Sequence, residues 1–403
     1  MKVDQDNLKT GLVLPGGGAR GAFQVGVLKA IAELLPNRLA SPFSIISGTS
    51  AGAINSVVLA TQAERFSLAI EQLEDVWCNF HCNQVYRTDA ATMVRSSLHW
   101  FAAIVFGGMF VAPPKSLLNI SPLRSLLNSK VQFSRIQSAI DRGYLHAVAV
   151  TAAGYDSARS TTFFQSRSGI SPWLRTRHAG VPSHINTDHL MASIAVPMIF
   201  PPVNISGEYF GDGAMRQATP LSPAIHLGAD RILVIGVRNE VALTPPNPED
   251  AKPFPSFSQI AGYMLDTLFM DGLYSDLENL TRINQLMDSV STDHHGDIMG
   301  RMRPIDTMVV LPSKDFRDVA QTCFKNMPKT MRFLLRGLGS DGEKEDRLLS
   351  FLLFEQAYTR ELVELGYNDA MQVKAQLVDF VTGQEVPRLF APSWVEKDLS
   401  MFQ

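Results

Sequence analysis

A serine between two glycines, Gly48-Thr49-Ser50-Ala51-Gly52, constrains this chain more than any other feature. The apolar run over 43–47 predicts a buried strand before it, and the Ala-, Val- and Ile-rich stretch over 51–60 predicts a helix after it. A strand, a G-x-S-x-G turn and a helix are the parts of a nucleophile elbow. Gly48 and Gly52 allow the sharp turn, and the helix directs its N-terminal amides towards Ser50. The segment therefore predicts an α/β fold with Ser50 as a candidate nucleophile.

A second glycine cluster, Pro15-Gly16-Gly17-Gly18-Ala19-Arg20-Gly21, follows the predicted strand over 12–14 and precedes a helical pattern from residue 22. Its spacing also matches the G-x-G-x-x-G loop of dinucleotide-binding proteins. That interpretation needs a carboxylate about 20 residues further on, at the end of a second strand. Residues 37–42 contain no acidic residue. Because converging backbone amides stabilise an oxyanion as well as a phosphate, the loop is better interpreted as part of the serine site.

The third element is Gly211-Asp212-Gly213-Ala214. An Asp-Gly pair is a turn signal, and by itself it indicates no more than a hairpin or the end of a strand. Upstream of it lies Ala-Ser-Ile-Ala-Val-Pro-Met-Ile-Phe-Pro-Pro, over 192–202. The functional interpretation of Asp212 depends on these segments being taken together.

In this order, the segments GGGARG, GTSAG and DGA, with the block over 192–202, resemble the patatin-like phospholipase family over about residues 8–240. The resemblance implies a catalytic dyad in which Ser50 is the nucleophile and Asp212 the base. It also implies an oxyanion hole made by backbone amides, and further motif residues that support the site. The oxyanion hole would comprise Gly16, Gly17 and Gly18, and the supporting residues would be Arg20, Gly21, Gly48, Gly52 and Gly213. Arg20 would order the loop, lie near a lipid phosphate or form a structural salt bridge.

A Ser-His-Asp triad is the rival mechanism, and in the common α/β-hydrolase order its histidine follows the acid. Only His226, His294 and His295 lie downstream of Asp212. His226 falls in a helical stretch that leads into a strand, where a packing or surface role is expected. The pair at 294–295 lies in a polar stretch that is typical of an exposed loop. The dyad is therefore favoured.

Composition narrows the class of protein. A net charge of −3 gives no basic character that would indicate nucleic-acid binding. Three cysteines do not make an even disulfide framework, and Cys78 and Cys82 lack the second ligand pair of a metal site. No cofactor is expected. Calcium in particular is not expected, because the dyad mechanism uses backbone amides where calcium-dependent phospholipases use the ion. The N-terminus shows no apolar signal region, so the cytoplasm is the expected location, with secretion that needs no cleaved signal left open.

Residues 100–112 (WFAAIVFGGMFVA) are 13 uncharged residues, too few for a membrane span, which takes about 20. They predict either a buried cover over the active site or a lid that makes peripheral contact with a membrane. The basic residues Arg332, Arg336, Lys344 and Arg347 would meet an anion or a lipid headgroup, or form part of a solvated charged face. The solvated face is favoured, because Asp341, Glu343, Glu345 and Asp346 interleave with them.

Apolar runs over 146–151 and 231–237 predict further buried strands. Alternating strands and helices indicate a three-layer α/β/α fold with a mostly parallel central sheet. Five prolines over 241–256 mark a change in composition. We therefore expect a catalytic domain over 8–240 and a mainly helical C-terminal extension over 241–403. The extension is expected to return one strand near 307–311. It would wall the acyl site or bind an activator, either a protein or a small molecule.

Together with the resemblance, these features predict a serine lipid acyl hydrolase acting on phospholipids or lysophospholipids. The alternatives are a hydrolase of soluble esters or thioesters, an acyltransferase on the same dyad, and a lipid-binding signalling module without turnover. Intact Ser50 and Asp212 favour an enzyme over the last of these.

Overall fold

One mixed sheet runs through the molecule. The computed structural model describes residues 8–35, 39–89, 91–92, 98–99, 116–238, 254–289, 303–340 and 347–394. Its strands are β1 (Thr10–Leu14), β2 (Ile45–Thr49), β3 (Ala147–Gly154), β4 (Ser160–Ser166), β5 (Trp173–Leu174), β6 (His178–Pro182), β7 (Val203–Ile205), β8 (Glu208–Asp212), β9 (Arg231–Ile235), β10 (Asp306–Val310) and β11 (Leu389–Phe390).

The helices alternate with these strands in the first half of the chain and dominate the second half. They are α1 (Ala22–Leu34), α2 (Ala51–Thr61), α3 (Phe66–Cys78), α4 (Cys82–Val85), α5 (Ser121–Lys130), α6 (Ser134–Asp141), α7 (Thr187–Ser193), α8 (Ser222–His226), α9 (Phe257–Ser289), α10 (Phe316–Cys323), α11 (Lys329–Gly337), α12 (Arg347–Leu352), α13 (Gln356–Gln372) and α14 (Lys374–Val381).

The order of strands across the sheet is β11-β10-β9-β1-β2-β3-β4-β6-β5, and β8 pairs with both β3 and β7. The strands from β11 to β3 are parallel, whereas β4 and β8 run antiparallel to β3. Every residue of β1, β2, β3 and β9 is buried. Because successive side chains of a strand point to opposite faces, both faces of this sheet are covered. The α/β class with a mostly parallel central sheet is confirmed.

The parallel register positions the candidate site. Leu14 at the end of β1 lies opposite Gly48 near the end of β2. The glycine loop and Ser50 therefore both leave the sheet at the same edge, outside the carboxyl ends of the strands, where ligands bind in sheets of this type.

Residues from the C-terminal half extend the same sheet and cover the helices of the first half. Strand β10 pairs in parallel with β9, and α13 packs along α1. The division into a catalytic domain over 8–240 and an extension over 241–403 stays a prediction. The predicted lid over 100–112 lies outside the described residues. Within the described residues, no helix combines the length and the apolar character that crossing a membrane requires.

Candidate active site

Ser50 occupies a strained turn between β2 and α2. Its backbone has φ 55° and ψ −127°, a conformation that residues other than glycine rarely adopt. A Cβ atom at Gly52 would lie 2.0 Å from the carbonyl oxygen of Leu14, and one at Gly48 would lie 2.4 Å from that of Gly52. Both flanking glycines are therefore required by close backbone approach. Strain of this kind collects at functional sites, where the surrounding structure holds it in place.

A second serine, Ser193 at the end of α7, supports the turn. The Ser50 amide donates to the Ser193 hydroxyl at 2.9 Å, and that hydroxyl donates to the Thr151 carbonyl at 2.7 Å. Because the Ser50 amide is used in this way, it does not serve as an oxyanion donor. Sequence reasoning noted Ser193 only as part of the block over 192–202, although a lone hydroxyl among apolar residues was a weak signal.

The glycine loop packs directly against the serine. A Cβ atom at Gly16 would lie 2.8 Å from the Cβ of Ser50 and 2.5 Å from the ring of Phe269. Gly18 has φ +57°, and a Cβ there would meet the Phe351 carbonyl oxygen at 2.4 Å. Within the described residues, no carbonyl or side chain accepts a hydrogen bond from the amide of Gly16 or Gly17. Buried amides without an acceptor are rare, and here they lie beside a candidate nucleophile.

Arg20 anchors this loop to the C-terminal half of the chain. Its guanidinium forms a buried salt bridge of 2.8 Å with Asp266 of α9 and donates to the Ser350 hydroxyl of α12. It also stacks over the ring of Phe351, 3.8 Å from the centroid. These contacts with α9 and α12 hold the glycine loop in place. Arg347 lies 3.4 Å from the other carboxylate oxygen of Asp266.

Asp212, at the end of β8, is buried beside the serine. Strand β3 connects the two, since Thr151 lies opposite Thr49 and Ala152 lies opposite Asp212. Oδ1 of Asp212 accepts the Ala214 amide at 2.9 Å, whereas Oδ2 has no hydrogen-bond partner among the described residues. Burial raises the pKa of Asp212 to about 7, against the lowering influence of the Ala214 amide and the Ser50 hydroxyl.

A polar network holds the other side of the site. Gln24 donates to the Pro15 carbonyl at 2.9 Å, Asn55 donates to Gln24 at 2.9 Å, and the Trp77 indole donates to Asn55 at 2.9 Å. The network connects the glycine loop to α1, α2 and α3 through fully satisfied buried groups. No sequence pattern indicated it, because Asn55 lies 31 residues from Gln24 and 22 residues from Trp77.

An apolar cavity of about 80 Å³ opens beside Ser50. Its walls include Ile54, Leu73, Trp77, Phe80, Leu127 and Phe351. A lining almost without polar atoms favours a hydrocarbon group over a polar one at this position.

The residues of the rival interpretations lie in other surroundings. His226 is surface-exposed; its ring stacks on Trp173 at 4.8 Å, and Nδ1 lies 2.9 Å from the Ser222 carbonyl oxygen. His294 and His295 lie outside the described residues. The three cysteines are free thiols. Nowhere in the described ranges do three or more His, Cys, Asp or Glu side chains gather as metal ligands.

The comparisons with known proteins agree with this geometry. A family model described as patatin-like phospholipase matches residues 12–225, more than half of the chain. The chain is similar to lysophospholipase nte1 of Aspergillus terreus, with 33% identity over 18% of this chain and 7% of the relative. It is also similar to a cUMP-AMP-activated phospholipase of Escherichia coli, with 33% identity over 25% of this chain and 30% of the relative. The matched regions are thus small parts of these curated relatives.

Among solved structures, VipD from Legionella pneumophila aligns over 98% of this chain and 73% of its own, with 13% identity and a TM-score of 0.34. The complex of SpcU with ExoU from Pseudomonas aeruginosa aligns over 98% of this chain and 83% of that chain, with 15% identity and a TM-score of 0.24. Neither superposition carries an argument about the site.

Proposed function

Since the chain belongs to the patatin-like phospholipase family, we propose that it is a serine lipid acyl hydrolase that cleaves fatty acyl esters of phospholipids or lysophospholipids. The observation that carries this proposal is the surroundings of Asp212. A buried carboxylate with a pKa of about 7, one oxygen of which has no hydrogen-bond partner among the described residues, is suited to take up a proton beside Ser50.

In the proposed acylation step, the Ser50 oxygen attacks the ester carbonyl while Asp212 accepts the hydroxyl proton. The carbonyl oxygen becomes an oxyanion, which the amides of Gly16, Gly17 and Gly18 stabilise. Removing one such donor typically costs about 100- to 1,000-fold in rate. Collapse of the intermediate expels the alcohol, which leaves with the proton held by Asp212, and the acyl group stays on Ser50.

In the deacylation step, Asp212 takes a proton from a water molecule that attacks the acyl ester. The same oxyanion donors act again, and the proton returns to the Ser50 oxygen as the fatty acid leaves. The apolar cavity beside Ser50 would hold the acyl chain through both steps. No imidazole is needed in this scheme, because the carboxylate of Asp212 is itself the proposed base.

Regulation by a partner is a further part of the proposal. One relative is named for activation by a cyclic dinucleotide. For this chain, the proposed activator is a protein or small molecule of the cell.

The proposal is tested by measuring fatty acid release from mixed phospholipid vesicles in the presence of EDTA. Ser50→Ala and Asp212→Asn should each reduce release at least about 1,000-fold. Ser125→Ala and Asp141→Asn, which change the same residue types at exposed positions, should leave it unchanged. Undiminished release by Ser50→Ala would overturn the assignment of the nucleophile. If the unchanged chain is silent, cell lysate is added, and continued silence would overturn the proposed activity.

A further inference from the structure

An exposed apolar face lies at the start of α9 and beside α11. It is formed by Met198, Phe254, Phe257, Ile260, Met264 and Phe333, which we call the apolar face. Phe254 is 92% exposed and Phe333 is 82% exposed. Scattered apolar residues are common on protein surfaces, but neighbouring ones mark interaction sites. None of its residues belongs to the segment over 100–112, for which the sequence predicts membrane contact.

The two helices are joined where the face forms. The Ser258 amide of α9 donates to the Leu338 carbonyl at 3.0 Å, directly after the end of α11. Between the helices lies a second apolar cavity, of about 350 Å³. Phe257, Ile260 and Met264 are exposed and also line this cavity, so the cavity opens on the apolar face.

The second cavity adjoins the cavity beside Ser50. Val196, Ile199, Leu265 and Leu352 contribute to the walls of both cavities. The two cavities therefore lie side by side and share apolar walls. Adjacent apolar cavities are suited to a hydrocarbon chain that leaves a bilayer, and a protein-binding face does not require them.

Basic residues occur on α11 and just before it. Residues 319–340 contain four cations and no acidic residue: Lys325, Lys329, Arg332 and Arg336. None of the four forms an ion pair with an acidic residue in the described ranges. Residues 254–264 carry no charge at all. Asp341, Glu343, Glu345 and Asp346, which contributed to the prediction of a solvated face, lie outside the described residues.

The apolar and the basic residues of α11 lie on different sides of the helix. Met331, Leu334, Leu335 and Leu338 point into the second cavity, whereas Lys329, Arg332, Phe333 and Arg336 occupy the outer side. A helix with basic residues and an exposed aromatic on its outer face is suited to the interface of an anionic bilayer, which attracts the charges and accepts the ring.

Met198 reaches the face at a conformational cost. Its φ of 66° is unusual for a residue other than glycine. The turn is held because the amides of Leu117 and Leu118 donate to the carbonyls of Met198 and Ile199, at 2.8 and 2.9 Å. The fold thus maintains a strained backbone that leaves the Met198 side chain exposed at the mouth of the second cavity.

We propose that the apolar face and the four basic residues beside it dock the protein on anionic lipid bilayers, with the second cavity open to the membrane. This inference rests on the proposed function, since docking of this kind serves an enzyme whose substrate is a membrane lipid. Three observations support it: exposed aromatics at the start of α9 and on α11, a cavity mouth lined by exposed apolar side chains, and four basic residues that form no ion pair with a described acidic residue.

The test measures sedimentation of the full chain with lipid vesicles. Vesicles of phosphatidylcholine alone are compared with vesicles that contain about 30 mol% phosphatidylserine. Ser50→Ala is introduced throughout, so that hydrolysis does not alter the vesicles. We expect binding to the anionic vesicles that weakens with added salt and is weaker on the neutral vesicles. Absence of binding to anionic vesicles would overturn the proposal and would direct attention to a protein partner.

The docking variant combines Arg332→Glu, Phe333→Ser and Arg336→Glu. Each basic residue near an anionic surface is worth about fivefold in affinity, so vesicle binding should fall at least about 30-fold. The control makes the same three kinds of change at another exposed segment: Leu174→Ser, Arg175→Glu and Arg177→Glu. The control should bind as the parent does. Equal binding by the docking variant and its parent would overturn the proposal.

A single substitution tests the same docking surface in case the triple variant misfolds. Because the side chain of Phe254 is almost fully exposed, Phe254→Ser removes no packing and should still reduce vesicle affinity by about tenfold. With Ser50 intact, the docking variant should retain hydrolysis of a soluble short-chain ester and lose hydrolysis of anionic vesicles. Binding without any hydrolysis by the unchanged chain would instead count against the proposed function and leave the docking inference standing.

Discussion

At the scale of single residues, the burial of Asp212 decides how the site responds to pH. Burial raises its pKa from an ordinary value near 3.8 to about 7. A group whose pKa is raised in the folded state adds stability below its unfolded pKa, and this contribution is lost as the pH rises through its folded pKa. The stabilising contribution of protonated Asp212 is therefore lost progressively between about pH 3.8 and pH 7. The carboxylate becomes able to act as a base only at the upper end of this range, where the contribution is gone.

The first prediction concerns this ionisation. For a soluble short-chain ester, kcat/KM should rise with pH through about 7, tenfold per pH unit on the acid side, because only the ionised Asp212 accepts the Ser50 proton. Initial rates measured between pH 5 and 9 would show whether kcat/KM rises in this way. A profile that is flat from pH 5 to 8 would mean that Asp212 is ionised throughout or is not the base.

Elements act on the site through their contacts with one another. Helix α9 provides Asp266 for Arg20 and Phe269 for the glycine loop, while Asp276 accepts the Leu221 amide at 2.8 Å. Helix α13 packs on α1 so closely that a Cβ at Gly26 would lie 2.0 Å from the Val363 carbonyl oxygen. A Cβ at Gly366 would lie 2.2 Å from the carbonyl oxygen of Phe23. Paired glycines thus set the distance between these helices.

The second prediction tests this crossing. Gly26→Ala should lower the free energy of unfolding by about 2 kcal/mol or more, because the added methyl group meets backbone that does not repack easily. Gly337→Ala is the matched control, since its Cβ would meet no atom within 4 Å, and alanine should there be neutral or stabilising. Thermal or urea unfolding of both variants compares them. Equal stabilities would show that the helices separate without cost.

At the scale of the whole molecule, the second half of the chain completes structures that the first half begins. Strand β10 covers the edge of β9, and α13 covers α1. Arg20 finds both Asp266 and Ser350 beyond residue 240. Removal of these partners would leave a buried guanidinium without its counterion and a parallel strand with an open edge.

The third prediction follows from this dependence. A chain that ends at residue 240 should fail to give a soluble, cooperatively unfolding monomer, although it contains every residue of the proposed dyad and oxyanion hole. Size-exclusion chromatography and thermal unfolding, with the full chain in parallel, make the comparison. A monomeric fragment that hydrolyses a soluble ester would instead establish 8–240 as an independent domain.

Local patterns predicted much of the fold. The apolar runs anticipated β1, β2, β3 and β9, and the elbow and the helices α1 and α2 lie where spacing placed them. Boundaries shifted slightly: β2 begins at Ile45, two residues after the start of the predicted run. The antiparallel arrangement of β4 and β8 was not predicted, since strand direction depends on pairing with partners far along the chain.

The sequence by itself determined the elbow at Ser50 and the glycine loop, because each depends on neighbours within a few residues. The candidate status of Asp212 came from the resemblance of several segments taken together. Only the tertiary structure decided that Ser193 holds the elbow, that Arg20 pairs with Asp266, and that burial raises the pKa of Asp212. It also decided which apolar side chains stay exposed beside α11. The physical reason is that partner choice, burial and exposure depend on residues brought together from distant parts of the chain, which no local spacing records.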